Sequence, residues 1–455
     1  MKLRLLFSPT VAALLAALTI TGAAPSSAHA MPPKRAVPDY DGKGGEPTSA
    51  DDVLLWIPRV ILSPLYFVSE FLVRRPLGAI ISAAEKANLP DVLYDFFAFG
   101  PDHKAGIAPY ALIDFGFKPS VGIYAFWNDA GFKGHDLVLH AATWGPDWLA
   151  GGLTERFRFG DPKEASSFSF NAVGIRRPDY VFYGLGPRTL QHSESRYSSD
   201  SLDGNVALDL AVWRATRLNA AVGMRSVSFS DGASDQGDPT LITQVGHDIF
   251  PVPPGFARGY TIEYNQVGVA FDNRLPRPKP GSGIRLELNG LQGNDVRQNP
   301  GSGFVRYGAT AGGFYDLNDH GRVVSLSVAA QFADPLGKEP VPFTELVSLG
   351  GYDYMRGFFP GRLIDRSAAV ATLKYRWPIW AFIDGSIQIA TGNVFGIHLD
   401  ELEPKLLRLS GAIGIETLGS PDNSVNLLFG AGTETIEHGM QIDTFRIVAG
   451  TNRGF

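Results

Sequence analysis

Few side chains in this sequence have the types and spacing that chemistry on a substrate requires. Cysteine is absent from all 455 residues, which removes thiol catalysis, disulfide staples and Cys-ligated metals together. The histidines are scattered: His135, His140 and His192 fall in separate expected elements. His140 lies beside apolar Leu137 and Leu139 and reads as an interface or lumen side chain rather than a base. With no G-x-S-x-G elbow and no H-E-x-x-H pair, we expect no enzyme, no catalytic residue, no cofactor and no metal. What remains is non-covalent. Arg356 stands in a long connection, and its planar fork suits a bidentate carboxylate contact that lysine cannot copy.

Composition says where such a contact could matter. Charged residues make up 19% of the chain, against about 25% in ordinary soluble proteins. Glycine and aromatic residues number 52 each, the latter as 30 Phe, 15 Tyr and 7 Trp. Apolar residues diluted evenly among polar ones suit a membrane β-barrel better than a helical membrane protein. The net charge is -6 and basic residues occur at most in pairs, so a nucleic-acid partner has no electrostatic footprint.

The chain opens with Lys2 and Arg4, an apolar core around Val11 to Ile20, and Ala28-His29-Ala30, which is the layout of a secretory signal peptide over residues 1–30. Beyond it no stretch reaches the roughly 20 predominantly apolar residues of a spanning helix. The best candidate is broken by Pro58, Arg59, Pro64, Glu70, Arg74, Arg75 and Pro76. An exported chain that lives in a membrane without such a helix must close a barrel, because only closure pairs every backbone polar group in lipid.

Residues 31–50 are polar and rich in Pro and Gly, a flexible leader. Residues 51–104 read as short amphipathic helices that are periplasmic or plug the lumen, ending at Gly100-Pro101. From about residue 105 the hydrophobic period changes to two, and the barrel is assigned to 105–455. Ile284, Leu286 and Leu288 alternate with Arg285, Glu287 and Asn289; Leu407, Leu409, Ile413 and Ile415 alternate with Arg408, Ser410 and Glu416. Turn signals divide the region into about sixteen antiparallel strands, among them 166–177, 303–316, 367–377, 381–391 and 441–455. Connections after even strands are short, whereas those after odd strands include long ones at 178–195, 231–257, 334–366 and 392–406. Short periplasmic turns and long surface loops are a barrel's signature, with both termini in the periplasm. Phe455 closes the last strand in the phase that barrel-assembly machinery reads.

The connection between the eleventh and twelfth strands carries Gly350-Gly351, then Met355-Arg356-Gly357-Phe358, then Gly361-Arg362 and Asp365. It is followed by Lys374-Tyr375-Arg376-Trp377-Pro378-Ile379 and Phe382-Ile383-Asp384-Gly385. Upstream stand Phe271-Asp272-Asn273-Arg274, Pro280-Gly281 and Phe182-Tyr183-Gly184-Leu185-Gly186. In order and placement these motifs resemble the BamA/TamA and two-partner-secretion superfamily, the bacterial surface antigen barrels. The resemblance covers about 350 residues.

The resemblance implies that the sixth surface loop folds into the lumen and is held there by Arg356, with Gly357 and Phe358 at the tip. Strand parity makes Asp384 the available acid: if Ile383, Ile387 and Ile389 face lipid, Asp384, Ser386 and Gln388 face inward. Two departures stand out. Lys374 replaces the family's usual glutamate, so another acid must compensate, with Glu345, Asp353 and Asp365 nearest in sequence. The family's periplasmic POTRA repeats are not expected in residues 31–104.

The role implied is insertion or translocation of proteins, or of lipid, at a seam between first and last strands loosened by Gly450 and Gly454. The expected partners are outer-membrane lipid, the assembly machinery that inserts the barrel itself, and unfolded outer-membrane proteins as clients. The competing expectation is a passive pore or structural barrel without clients.

Overall fold

The computed structural model describes residues 96–451 apart from 162–164, 214, 233–236, 275–280, 318, 320, 353, 381–382 and 418–424. The expected signal peptide, leader and most of the helical segment lie outside the described residues, as do Gly454 and Phe455.

Sixteen antiparallel strands form the barrel: β1 (Ala105–Asp114), β2 (Ser120–Trp127), β3 (His135–Thr143), β4 (Leu149–Phe159), β5 (Ser166–Phe182), β6 (Ser195–Trp213), β7 (Thr216–Asp231) and β8 (Tyr260–Asp272). The second half is β9 (Gly283–Asp295), β10 (Gly303–Asp316), β11 (Val323–Pro335), β12 (Ser367–Trp380), β13 (Ile383–Phe395), β14 (Arg408–Thr417), β15 (Val425–Thr433) and β16 (Ile442–Thr451). Each strand pairs with its neighbours in sequence, and β16 closes on β1.

Period-two alternation determines which face is oily. Leu326 on β11, Leu373 on β12 and Ile389 on β13 lie side by side in register, and all three are exposed on the outer wall. Their neighbours in sequence point inward: Asp384, Ser386 and Gln388 are buried. Outward rings gather at the short-turn end, where Phe132, Phe157, Phe168 and Phe170 pack together, an arrangement that matches the aromatic girdle of membrane barrels. No helix among the described residues is long and apolar enough to cross a membrane.

The strand ends differ from expectation mainly in β5. It runs on to Phe182, past the expected stop near 177, because a register shift between Arg177 and Tyr180 accommodates Pro178. A bulge leaves proline's missing N–H without a ladder partner to lose.

Loops 1 to 8 follow the odd strands, and the long ones close that end of the cylinder. Loop 4 (232–259) contains helix α1 (Leu241–Gly246), capped by the Thr240 hydroxyl, which accepts the Thr243 N–H at 3.2 Å. Leu241 packs in one apolar cluster with Phe250 and Phe256 of loop 4 and with Phe343, Phe358 and Leu363 of loop 6 (336–366). At the opposite end Ala98–Phe99 forms a two-residue strand that pairs with Gly106 and Ala105 at the foot of β1.

Candidate functional site

Loop 6 enters the lumen through a small hairpin, Val347–Leu349 against Leu363–Asp365. Gly350 and Gly351, both at positive φ, turn the chain inward, and the Gly351 N–H donates to the Phe358 carbonyl at 3.0 Å. The tight turn at the tip is made by Met355, whose φ is 52°. At Gly357 the requirement is space rather than backbone conformation. A Cβ there would stand 2.1 Å from the Ala431 carbonyl oxygen of β15, so the position requires glycine because two backbones touch.

The opposing wall is cut to match. Gly430 faces Gly357, and the Phe358 ring lies where a Cβ on Gly432 would be. The Gly357 N–H donates to the Ser410 hydroxyl of β14 at 2.8 Å.

Arg356 meets an acid, but not Asp384. Its Nη1 donates to Glu416 Oε1 at 3.1 Å, and Lys374 Nζ donates to the same oxygen at 2.8 Å. Asp384 instead faces Arg376 on β12, at 3.5 Å. The physical reason lies in the register: Glu416 is directly across from Asp384 on the next strand, and an inward lysine at 374 draws the shared carboxylate between two cations. The candidates nearest in sequence do not fill this role. Glu345 is buried on the opposite wall, where Arg225 of β7 donates to it at 2.9 Å and the Tyr260 hydroxyl of β8 at 2.8 Å. Asp365 remains in the hairpin, where burial pushes its carboxyl up to about 6. Asp353 lies outside the described residues.

The supporting motif residues have separate local roles. Trp377 stacks on Tyr375 along the outer wall, ring centroids 5.4 Å apart. Gly385 pairs with Trp377, and its missing side chain leaves room for the indole. Pro378 sits at the bulge where β12 shifts register against β13. Asp272 and Arg274 pair with each other at the start of a short-turn connection, with the Arg274 guanidinium over the Phe314 ring at 4.1 Å. His140 points into the lumen and lies over Gly152.

Sequence reasoning missed three arginines. Arg446 of β16 is fully buried; it donates to both carboxylate oxygens of Asp114 at the end of β1, and to the carbonyls of Gly351 and Arg356. One side chain therefore holds the loop tip and bridges the two strands that close the barrel. Arg362 donates to Asp443 at 2.7 Å and to the Thr189 hydroxyl at 2.8 Å, with its guanidinium over the Tyr183 ring. Arg408 reaches the Thr189 carbonyl and Glu434. For Arg446 and Arg408 the signal was an inward position at strand parity, whereas Arg362 stands in loop 6. Asp114 lies 332 residues from Arg446, and Thr189 lies 173 and 219 residues from Arg362 and Arg408; neither carries a local mark.

The closing seam is short in backbone terms. Among the described residues β16 and β1 share three paired positions, Val448 with Asp114, Ala449 with Ile113 and Gly450 with Leu112. The next shortest pairings among the described residues, β14 with β15 and β2 with β3, hold seven each. Gly450 contributes at the crossing: its φ is +150°, and a Cβ would come within 2.5 Å of the Ala111 carbonyl.

The family model described as the Omp85 superfamily domain matches residues 260–403, which span β8 to β13 and all of loop 6. This chain carries an Omp85 superfamily domain.

The solved structure of BamA from Haemophilus ducreyi lacking POTRA domains 1-3 is similar at TM-score 0.54 and 16% identity, covering 76% of this chain and 70% of that one. CdiB from Acinetobacter baumannii and CdiB from Escherichia coli each give a TM-score of 0.48 at 12% identity over 76% of this chain. The match covers 59% and 62% of those two chains, so this chain spans under two thirds of their length. No curated protein sequence matches the chain.

Proposed function

We propose that this Omp85 barrel resides in the outer membrane with its N-terminal segment in the periplasm, and that it inserts or translocates proteins, or lipid, by parting its first and last strands. The observation that carries the reading is the seam: three backbone pairs among the described residues, reinforced from inside by an arginine that also grips loop 6. A strand edge held by few ladder bonds can exchange them for those of an incoming strand at little net cost. Arg446, Asp114, Arg356, Glu416 and the tip Gly357-Phe358 would set how readily the seam parts. No chemical step is involved. A passive pore is less well supported, because Leu241, Phe343 and Phe358 pack without accessible surface across the long-loop end.

The test uses the absence of native cysteine. In an Ile113→Cys/Ala449→Cys variant the two positions are paired across the seam, so oxidation staples it. Purified protein in liposomes should accelerate folding of an added outer-membrane barrel when reduced and lose that effect when oxidised. Equal rates in both states would defeat the seam reading, and steady ion conductance of the oxidised form would favour the pore.

A further inference from the structure

The geometry points to a binding site for phosphatidylethanolamine on the outer wall, in a groove of about 470 Å³ over β4, β5 and β6 towards the long-loop end. The inference rests on the reading that this wall faces lipid, and it is independent of whether the seam parts.

The groove is made by side chains that are missing. Gly151 of β4 pairs with Gly174 of β5, and one step further down Ala172 pairs with Gly204 of β6. Leu149, Leu153 and Leu202 stand exposed around them. A Cβ on Gly122 would come within 2.2 Å of the Ala141 carbonyl oxygen, so there the protein itself takes the space. On Gly174 the nearest atom would be 3.7 Å away, and on Gly151 3.9 Å. Gly313 is equally open but stands alone between Ile284 and Leu326. Over β4 to β6 the open positions adjoin, and an acyl chain laid along them fills the groove while covering the leucines.

A charged pair crosses the upper end. Arg176 and Asp200 are the next outward pair above Gly174 and Leu202. They join through Nε to Oδ1 at 2.9 Å and Nη2 to Oδ2 at 3.1 Å, and both are about half exposed. On a tilted strand rising about 3.3 Å per residue, Arg176 stands roughly 20 Å above Phe168 of the aromatic girdle. That is near the far border of an apolar band about 25 Å tall, at headgroup level, where an outward charge is tolerated.

The charges select the headgroup. Arg176 leaves Nη1 to donate to a phosphate oxygen, and Asp200 has lone pairs to accept from an ammonium. Asp147, exposed in loop 2 (144–148), lies within electrostatic reach of Arg176. Two carboxylates around one guanidinium disfavour a net-anionic lipid, whereas a zwitterion gives its phosphate to the cation and its ammonium to the acids. Phosphatidylcholine brings no N–H donor for those acids.

Native mass spectrometry of the full-length protein tests the site, with micelles doped equally with phosphatidylethanolamine, phosphatidylglycerol and phosphatidylcholine of identical acyl chains. Wild type should retain the ethanolamine lipid about five-fold over either rival. Arg176→Gln/Asp200→Asn should bring that preference below about two-fold while keeping the heat-dependent gel shift of a folded barrel, because an exposed ion pair adds little to folding. Gly174→Leu has room for its side chain and should lower retention of the ethanolamine lipid with the ion pair intact. The proposal falls if wild type retains the three lipids equally, if phosphatidylglycerol leads, if the preference survives in the folded double variant, or if Gly174→Leu retains as much as wild type.

Discussion

The two sides of this barrel are built differently. On one side β5, β6 and β7 run 17, 19 and 16 residues, and β6 with β7 share sixteen paired positions. On the other, the described residues of β14, β15, β16 and β1 run 10, 9, 10 and 10 and meet at a seam of three described pairs. The long wall is held by its backbone ladder. The short wall is held largely by side chains that reach in from β14, β16 and loop 6. Loop 6 spans the difference: Glu345 at its root binds the long wall through Arg225 and Tyr260, and its tip lies in the glycine trough of β15. A ladder of many pairs tolerates the loss of one, whereas a clasp does not.

The largest effect is expected at the loop tip. Gly357→Val must push two backbones apart, and overpacking of this kind costs about 1–3 kcal/mol or more. Loop 6 should leave its trough and become sensitive to added protease, which limited digestion of intact cells or proteoliposomes would reveal.

Arg446→Ala comes next. It leaves Asp114 buried without its cation, and breaking a buried pair in this way costs about 3–5 kcal/mol. Unfolding in urea should report the loss, part of which backbone relaxation at the seam can offset. On the long wall the exposed pair Arg176–Asp200 provides the contrast, and Arg176→Gln should leave the unfolding midpoint where it was.

A smaller effect sharpens the assignment of Arg356. Glu416→Gln strands Arg356 and Lys374 beside each other and should cost about 1.5–3 kcal/mol, the scale of a hydrogen bond to a charged group. Adding Lys374→Glu should recover most of it, because the acid then returns on β12, one strand from Asp384. If the double variant is no more stable than the single, Glu416 is not the partner on which Arg356 depends.

The smallest effect is in pH. Burial raises the Asp365 carboxyl from 3.8 to about 6, so between those values the folded hairpin holds a proton that the unfolded chain has released. Its contribution is therefore fully present below about pH 4 and is lost as pH rises through 6. The thermal midpoint of the gel shift should rise on acidification across that window, and Asp365→Asn should flatten the response.

Much of the cylinder was legible because a strand's alternation is local: Gly303–Asp316 falls where the turn signals put it, and Asp384 faces inward as parity requires. The loop tip was legible through its motif. Its partner was not. Glu416 carried a visible mark, an acid on the wet face of its strand, but the pairing with Arg356 depends on how far loop 6 descends. That depth is set by the trough of Gly430 and Gly432, whose glycines look in sequence like any others in a glycine-rich strand. Arg446 escaped for the same reason, since Asp114 lies at the far end of the chain and becomes its neighbour only on closure.

The two-residue strand Ala98–Phe99 carries a mechanical consequence. It fastens the chain entering the barrel to Ala105 and Gly106, at the foot of the strand that borders the seam. Tension on the polypeptide upstream of residue 98 is thus delivered to β1 before any other part of the wall.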